Sequence, residues 1–231
     1  MKPLAIITGV GPGTGAALAR RFQAGGYQVA MLARDAARLA ELERSLPDAF
    51  AMPCDVADPV ALSAVLDAIE ARAGAPKVVV HNAVGGAFGD FMSIQPEVLE
   101  RNFQVNVMAL LHLARWAAPR MTDAGGALII TGNTSALRGK ANFAGFAPTK
   151  AAQRILAESI ARQMGPKGVH VAYLMIDAVI DVPWTRERMK DAPADFFIQP
   201  AAIAEEAWHI AHQPKSAWSF LVEVRPSGEN W

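Results

Sequence analysis

The chain has 231 residues, 52% of them apolar and 19% charged, which is too apolar for disorder and ample for a buried core. Its 22 lysines and arginines balance 22 aspartates and glutamates, which removes the electrostatic ground for a nucleic acid or an anionic membrane as partner. Cys54 is the sole cysteine, so an internal disulfide is excluded and a reducing compartment, the cytoplasm, is expected.

Leu4 to Thr8 is a short apolar run that meets a glycine turn. The uncharged stretch from Leu4 to Ala19 is broken by Gly9, Gly11, Pro12, Gly13 and Gly15. It therefore reads as strand, turn and helix start rather than as a secretory segment. No run reaches the roughly 18 apolar residues of a membrane span. Gly13 to Ala24 has helical spacing, with Leu18 and Phe22 four apart and Gly25-Gly26 as a stop. Gln28 to Ala33 is strand-like, Asp35 to Ser45 helical, and Phe50 to Pro53 a weak strand. Asp58 caps a helix to about Ala73, with Pro59 at its first position. Lys77 to His81 reads as a fully buried strand. A long helical stretch covers roughly Gln95 to Thr122, then come a strand over Ala127 to Thr131 and a mainly helical segment from Phe143 to Met164. Val169 to Met175 is a strand, Pro200 to His212 a helix, and Trp218 to Val224 the last strand. Asp177 to Gln199 is the longest irregular stretch and a candidate lid. Alternating strands and helices predict an α/β fold, with a parallel sheet covered on both faces, in one domain over residues 1–231.

The turn Thr8-Gly9-Val10-Gly11-Pro12-Gly13-Thr14-Gly15 follows the first strand and opens the first helix. Bare backbone there allows close approach of a pyrophosphate, and the helix N-terminus adds unpaired N–H groups and a positive dipole end. That placement predicts a Rossmann-type dinucleotide site. Arg34 after the second strand, with Arg38 one turn on, favours NADP(H); NAD(H) stays open because Asp35 lies beside it.

With these motifs the chain resembles the short-chain dehydrogenase/reductase family over essentially its whole length. The turn matches that family's Thr-Gly-x-x-x-Gly-x-Gly. Asp55-Val56 resembles its adenine-side aspartate element. Asn82-Ala83 resembles the core of its Asn-Asn-Ala-Gly, with His81 and Val84 as departures. Asn106 resembles the asparagine that orders a water in a proton relay, and Lys150 the lysine that holds the nicotinamide ribose. The resemblance implies a doubly wound sheet of about seven parallel strands, a small-molecule substrate, and homodimers or homotetramers. It also implies that Ile180 offers its backbone to the carboxamide.

The pattern breaks at the active-site positions. The family's catalytic tyrosine stands four residues before the lysine, and here that residue is Phe146. Tyr27 and Tyr173 do not match the motif. The family's serine falls at Asn133 by count, with Thr134 and Ser135 beside it; a one-residue loop difference favours Thr134. Asp177 or Asp181 becomes a substitute acid if burial raises its pKa. His81 reads as a structural histidine, the histidines show no metal-ligand grouping, and Trp116, Trp184, Trp208, Trp218 and Trp231 read as packing or interface residues. The resemblance predicts an NADP(H)-dependent oxidoreductase acting on a carbonyl, imine or activated alkene without the usual tyrosine. The alternative is a non-catalytic dinucleotide-binding sensor, scaffold or partner subunit.

Overall fold

The computed structural model describes residues 2–228. Strand β1 (Leu4–Thr8) leads through the glycine turn into α1 (Thr14–Ala24). Then follow β2 (Gln28–Ala33), α2 (Ala36–Ser45), β3 (Ala49–Pro53), α3 (Pro59–Ala73) and β4 (Pro76–His81). Asp58 caps α3, accepting from Val60 and Ala61 N–H, and Pro59 opens it. Helices α4 (Pro96–Phe103) and α5 (Ala109–Met121) are joined through one wider π-helical turn at Gln104–Met108, so the long predicted helix is interrupted at its centre. Strand β5 (Gly126–Asn133) runs two residues further than its apolar run predicts. Helix α6 (Ala147–Met164) starts only after a turn at 143–146, in which Phe143 O accepts from both Phe146 and Ala147 N–H.

Strand β6 (Val169–Ile176) is buried throughout. The segment expected to be irregular carries structure of its own. It holds β7 (Val179–Ile180), α7 (Pro183–Arg188) and β8 (Phe197–Ile198), with β7 and β8 paired in parallel as a small second sheet. Helix α8 (Pro200–Ala211) and β9 (Leu221–Val224) complete the described chain. The last strand starts three residues after Trp218, whose ring stacks on His170 instead.

The main sheet has seven strands in the order β3-β2-β1-β4-β5-β6-β9, every neighbouring pair parallel. Alternation along each strand divides the core. Leu4 and Ile6 of β1 pack with the α3, α5 and α6 side, and Ala5 and Ile7 with α1, α2 and α8. The chain order reverses between β1 and β4, which opens a crevice beyond their carboxyl ends, where doubly wound sheets hold ligands.

Candidate active site

The crevice is a cleft of about 980 Å³, and the glycine turn forms its floor. Gly9 has φ +71°, and a β-carbon there would lie 2.5 Å from the Ala83 Cα. Only glycine lets β1 cross this close to the chain leaving β4. Asn82 Nδ2 donates to the Gly9 carbonyl at 2.9 Å. Thr8 Oγ1 accepts from Asn82 and Ala83 N–H, each at 3.2 Å, which leaves its own proton for His81 Nδ1 at 3.1 Å. His81 is thus tied in and fully buried; burial, then the charge of Lys150, pushes its pKa down to about 3. It is neutral, and its bond to Thr8 agrees with a structural role. A β-carbon at Gly15 would overlap the turn itself, 2.6 Å from the Val10 Cα. Gly11 faces open space. Gly13 caps α1 without any side-chain bond to its first amides, and the buried Thr14 Oγ1 has no hydrogen-bond partner among the described residues. These are unanswered donors around a bare cradle, and they fit a pyrophosphate.

Arg34, Asp35 and Arg38 line the far end of the cleft. Asp35 caps α2 through Arg38 N–H at 3.0 Å and also pairs with the Arg38 guanidinium at 3.2 Å. Asp55 and Val56 stand on the same wall. Burial pushes the Asp55 carboxyl up, but the Ala57 N–H and the Arg101 and Arg34 guanidiniums outweigh it and hold it below the usual carboxylate range. Asn82, Ala83 and Ile180 line the opposite part of the cleft. The side chain of Val182 reaches over Gly13, so close that a β-carbon there would lie 2.7 Å from Val182 Cγ1. Trp184, expected as a packing or interface residue, is 63% exposed and lines the cleft.

The other sequence candidates stand behind this wall. Phe146 is the residue before α6 and is 8% exposed, with its ring beside Gly86. Lys150 is 2% exposed. Its ammonium donates to Thr131 O at 3.1 Å and to Gln153 Oε1 at 2.5 Å, and burial pushes its pKa down to about 7. Asn106 is fully buried in the π-helical turn. Its side chain accepts from Gly85 N–H at 2.9 Å and donates to Gly85 O and Thr149 Oγ1, both at 2.8 Å. Its main-chain carbonyl accepts from Gln153 Nε2 at 2.8 Å.

One further expectation changes. Asp181 is not a raised carboxyl: hydrogen bonds from Arg186 and Gln199 hold its pKa down to about 2, so it is a carboxylate at neutral pH. Thr134 Oγ1 donates to Asp177 at 2.9 Å, and Asn133 caps the turn by accepting from Ser135 N–H at 3.2 Å. Ser135 lines a separate hollow of about 430 Å³ with Phe143, Ala147 and Ala151. Neither tyrosine reaches the cleft. Tyr27 bonds His212 Nε2 at 3.1 Å against Trp208, and Tyr173 is fully buried with its ring over Gly132. Trp231 lies outside the described residues.

Sequence reasoning missed Gln153, Thr131, Thr149 and Arg101. For Gln153 a signal existed: it lies three residues after Lys150, on the same helical face, and is an uncharged polar residue on a face otherwise buried. Among the described residues no group of three or more acidic, histidine or cysteine side chains is disposed to hold a metal, and no helix is long and apolar enough to cross a membrane.

The family model described as short chain dehydrogenase matches residues 3–192. The chain is 30% identical over 227 residues to the 7alpha-hydroxysteroid dehydrogenase of Escherichia coli (strain K12), covering 93% of this chain and 88% of that protein. Its structure matches that of a short-chain dehydrogenase from Rhodopseudomonas palustris with a TM-score of 0.84 and 30% identity, over 97% of this chain and 98% of the other. It also matches a metagenomic short-chain oxidoreductase in complex with NADP, with a TM-score of 0.85 and 27% identity over 97% of both chains.

Proposed function

The chain belongs to the short-chain dehydrogenases, and on that premise we propose that it is an NADP(H)-dependent oxidoreductase acting on a small carbonyl, imine or activated alkene. The observation that carries the reading is the bare cradle: an open Gly11, an uncapped helix start at Gly13 and a buried Thr14 hydroxyl without a partner. The amides at the start of α1, with the Thr14 hydroxyl, would hold the pyrophosphate, since those of Val10 and Gly11 already donate to Leu32 O and Gly9 O. Arg34 would meet a 2′-phosphate, since the carboxylate beside it is already engaged by Arg38. Asp55 and Val56 would flank the adenine, Asn82 and Ala83 the middle of the dinucleotide, and Ile180 the carboxamide. Lys150 would hold the nicotinamide ribose. The NADP in the metagenomic relative supports the same choice of cofactor. When bound, such a cofactor supplies or accepts hydride.

The residues of the chain then have to handle a proton, and Phe146 cannot. Its ring keeps the shape of a tyrosine and lacks the hydroxyl. Asp181, ion-paired to Arg186, is no substitute. General acid catalysis is typically worth 10²–10⁴-fold, so plain ketones are poor substrates, and compounds needing little protonation at the acceptor are better ones. Thr134 or Ser135 would bind the substrate oxygen. The segment over residues 177–199 serves as a lid, through Val182 and Trp184 on the cleft. The protein acts in the cytoplasm as a homodimer or homotetramer. The same missing hydroxyl favours a second reading, a sensor or partner subunit that binds the dinucleotide without turning over. A panel of ketones, imines and activated alkenes, assayed by NADPH oxidation, tests the choice: turnover of the latter two classes above ketones is expected, and binding without turnover on any of them selects the sensor.

A further inference from the structure

Lys150 and Asn106 are linked by one side chain. Gln153 is fully buried; its oxygen accepts from the lysine ammonium at 2.5 Å and its nitrogen donates to the Asn106 carbonyl at 2.8 Å. That carbonyl belongs to the π-helical turn, where the ordinary helical ladder is interrupted. Among the described residues the lysine's other acceptor is Thr131 O on β5. We propose that Gln153 is a positioning residue: it clamps the Lys150 ammonium behind the cleft and occupies the Asn106 carbonyl, so that the lysine has no exchangeable-proton route out along this helix. A water or hydroxyl can take up a proton on one side and release another. A carboxamide, accepting through oxygen and donating through nitrogen, passes one on only through a rare tautomer. The bridge therefore holds the charge and does not relay it.

The surroundings leave few other groups to set the lysine's behaviour. Among the described residues, His81 of β4 is the titratable group that feels the Lys150 charge, and it is neutral. Thr149, on the same first turn of α6, donates to Phe146 O and accepts from Asn106. The amide oxygen of Gln153 is thus the side-chain acceptor that answers the buried cation. The role assigned to Gln153 in the reaction rests on the oxidoreductase reading; its hold on Lys150 does not.

The test reads the lysine itself in the whole protein without added nucleotide. The Cε resonance of Lys150 is followed against pH in wild type, Gln153→Met and Gln153→Glu. Methionine keeps the volume and removes both bonds; proton affinity of Lys150 should fall about tenfold or more, since a hydrogen bond to a charged group is lost. Glutamate puts a carboxylate at the ammonium, and the affinity should rise by about tenfold or more. If methionine prevents folding, the glutamate variant alone decides. Coincident titrations in folded variant and wild type would overturn the proposal. NADPH binding together with turnover on the substrate panel, measured separately on wild type, judges the oxidoreductase reading, so the two can fail independently. Where turnover is found, its pH profile should move in the same direction as the resonance in each variant.

Discussion

Asn82 reaches back from the end of β4 and donates to the carbonyl of Gly9 at 2.9 Å, fastening the second half of the sheet to the turn that follows the first strand. The turn is therefore held by two kinds of glycine. Gly9 is needed for the crossing, with φ +71° and no room for a β-carbon, whereas Gly11 faces open space.

Substituting the two separates fold from ligand. Gly9→Ala should cost roughly 2 kcal/mol or more of stability in denaturant, from the positive φ and the overlap with Ala83. Gly11→Ala should leave stability within about 0.5 kcal/mol and weaken NADPH binding, since the methyl group enters the cradle. Equal destabilisation by both would mean that the open cradle is part of the packing.

Restoring the hydroxyl should restore the acid. Phe146 stands one helical turn before Lys150, so Phe146→Tyr brings a phenol near a buried cation that lowers its pKa. Ketone reduction should rise by about 10²–10⁴-fold, measured as kcat/KM on a fixed ketone panel. A wild type that reduces ketones well and loses that activity on gaining the phenol contradicts the assignment of Phe146.

Two buried bases give the stability a defined pH dependence. Lys150 in the folded chain has its pKa pushed by burial from 10.5 down to about 7. Between those values the unfolded chain binds the extra proton, so this residue's contribution rises with pH from 7 to 10.5, and the full cost of burying its charge is present below 7. Lys150→Met should therefore be relatively more stabilising at pH 6 than at pH 10, by a few kcal/mol on the linkage relation. His81 has the same sign lower down: its folded pKa is about 3 against 6.5, so it destabilises progressively as pH falls from 6.5 toward 3. His81→Asn should flatten that acid limb. Urea melts at several pH values check both, and parallel pH profiles for wild type and variants would refute them.

The features that were legible in the sequence are those set by neighbours along the chain. The glycine turn, the Asp58-Pro59 helix start and the apolar strands are local, and the alternation in β1 already divides its residues between two faces. The bonds that decide the chemistry join distant segments. Gln153 reaches Asn106 across 47 positions, and Lys150 reaches Thr131 across 19. No period or spacing encodes such pairs. The state of Asp181 was not legible for a related reason: it depends on Arg186 and Gln199, which come together only because residues 177–199 fold into a short helix and a paired strand. The late start of α6 follows from the turn at Phe143, which a helical pattern of apolar residues does not distinguish from a first helical turn.

Dinucleotide binding is the most direct measurement. NADPH and NADH are titrated separately into the wild-type protein and into Arg34→Ala, and cofactor fluorescence is followed. The expected result is saturable binding to wild type, tighter for NADPH than for NADH, with the preference reduced by the arginine substitution and NADH binding left nearly unchanged. Absence of binding by both cofactors to folded wild-type protein would contradict a nucleotide role for the cradle between Gly9 and Gly15.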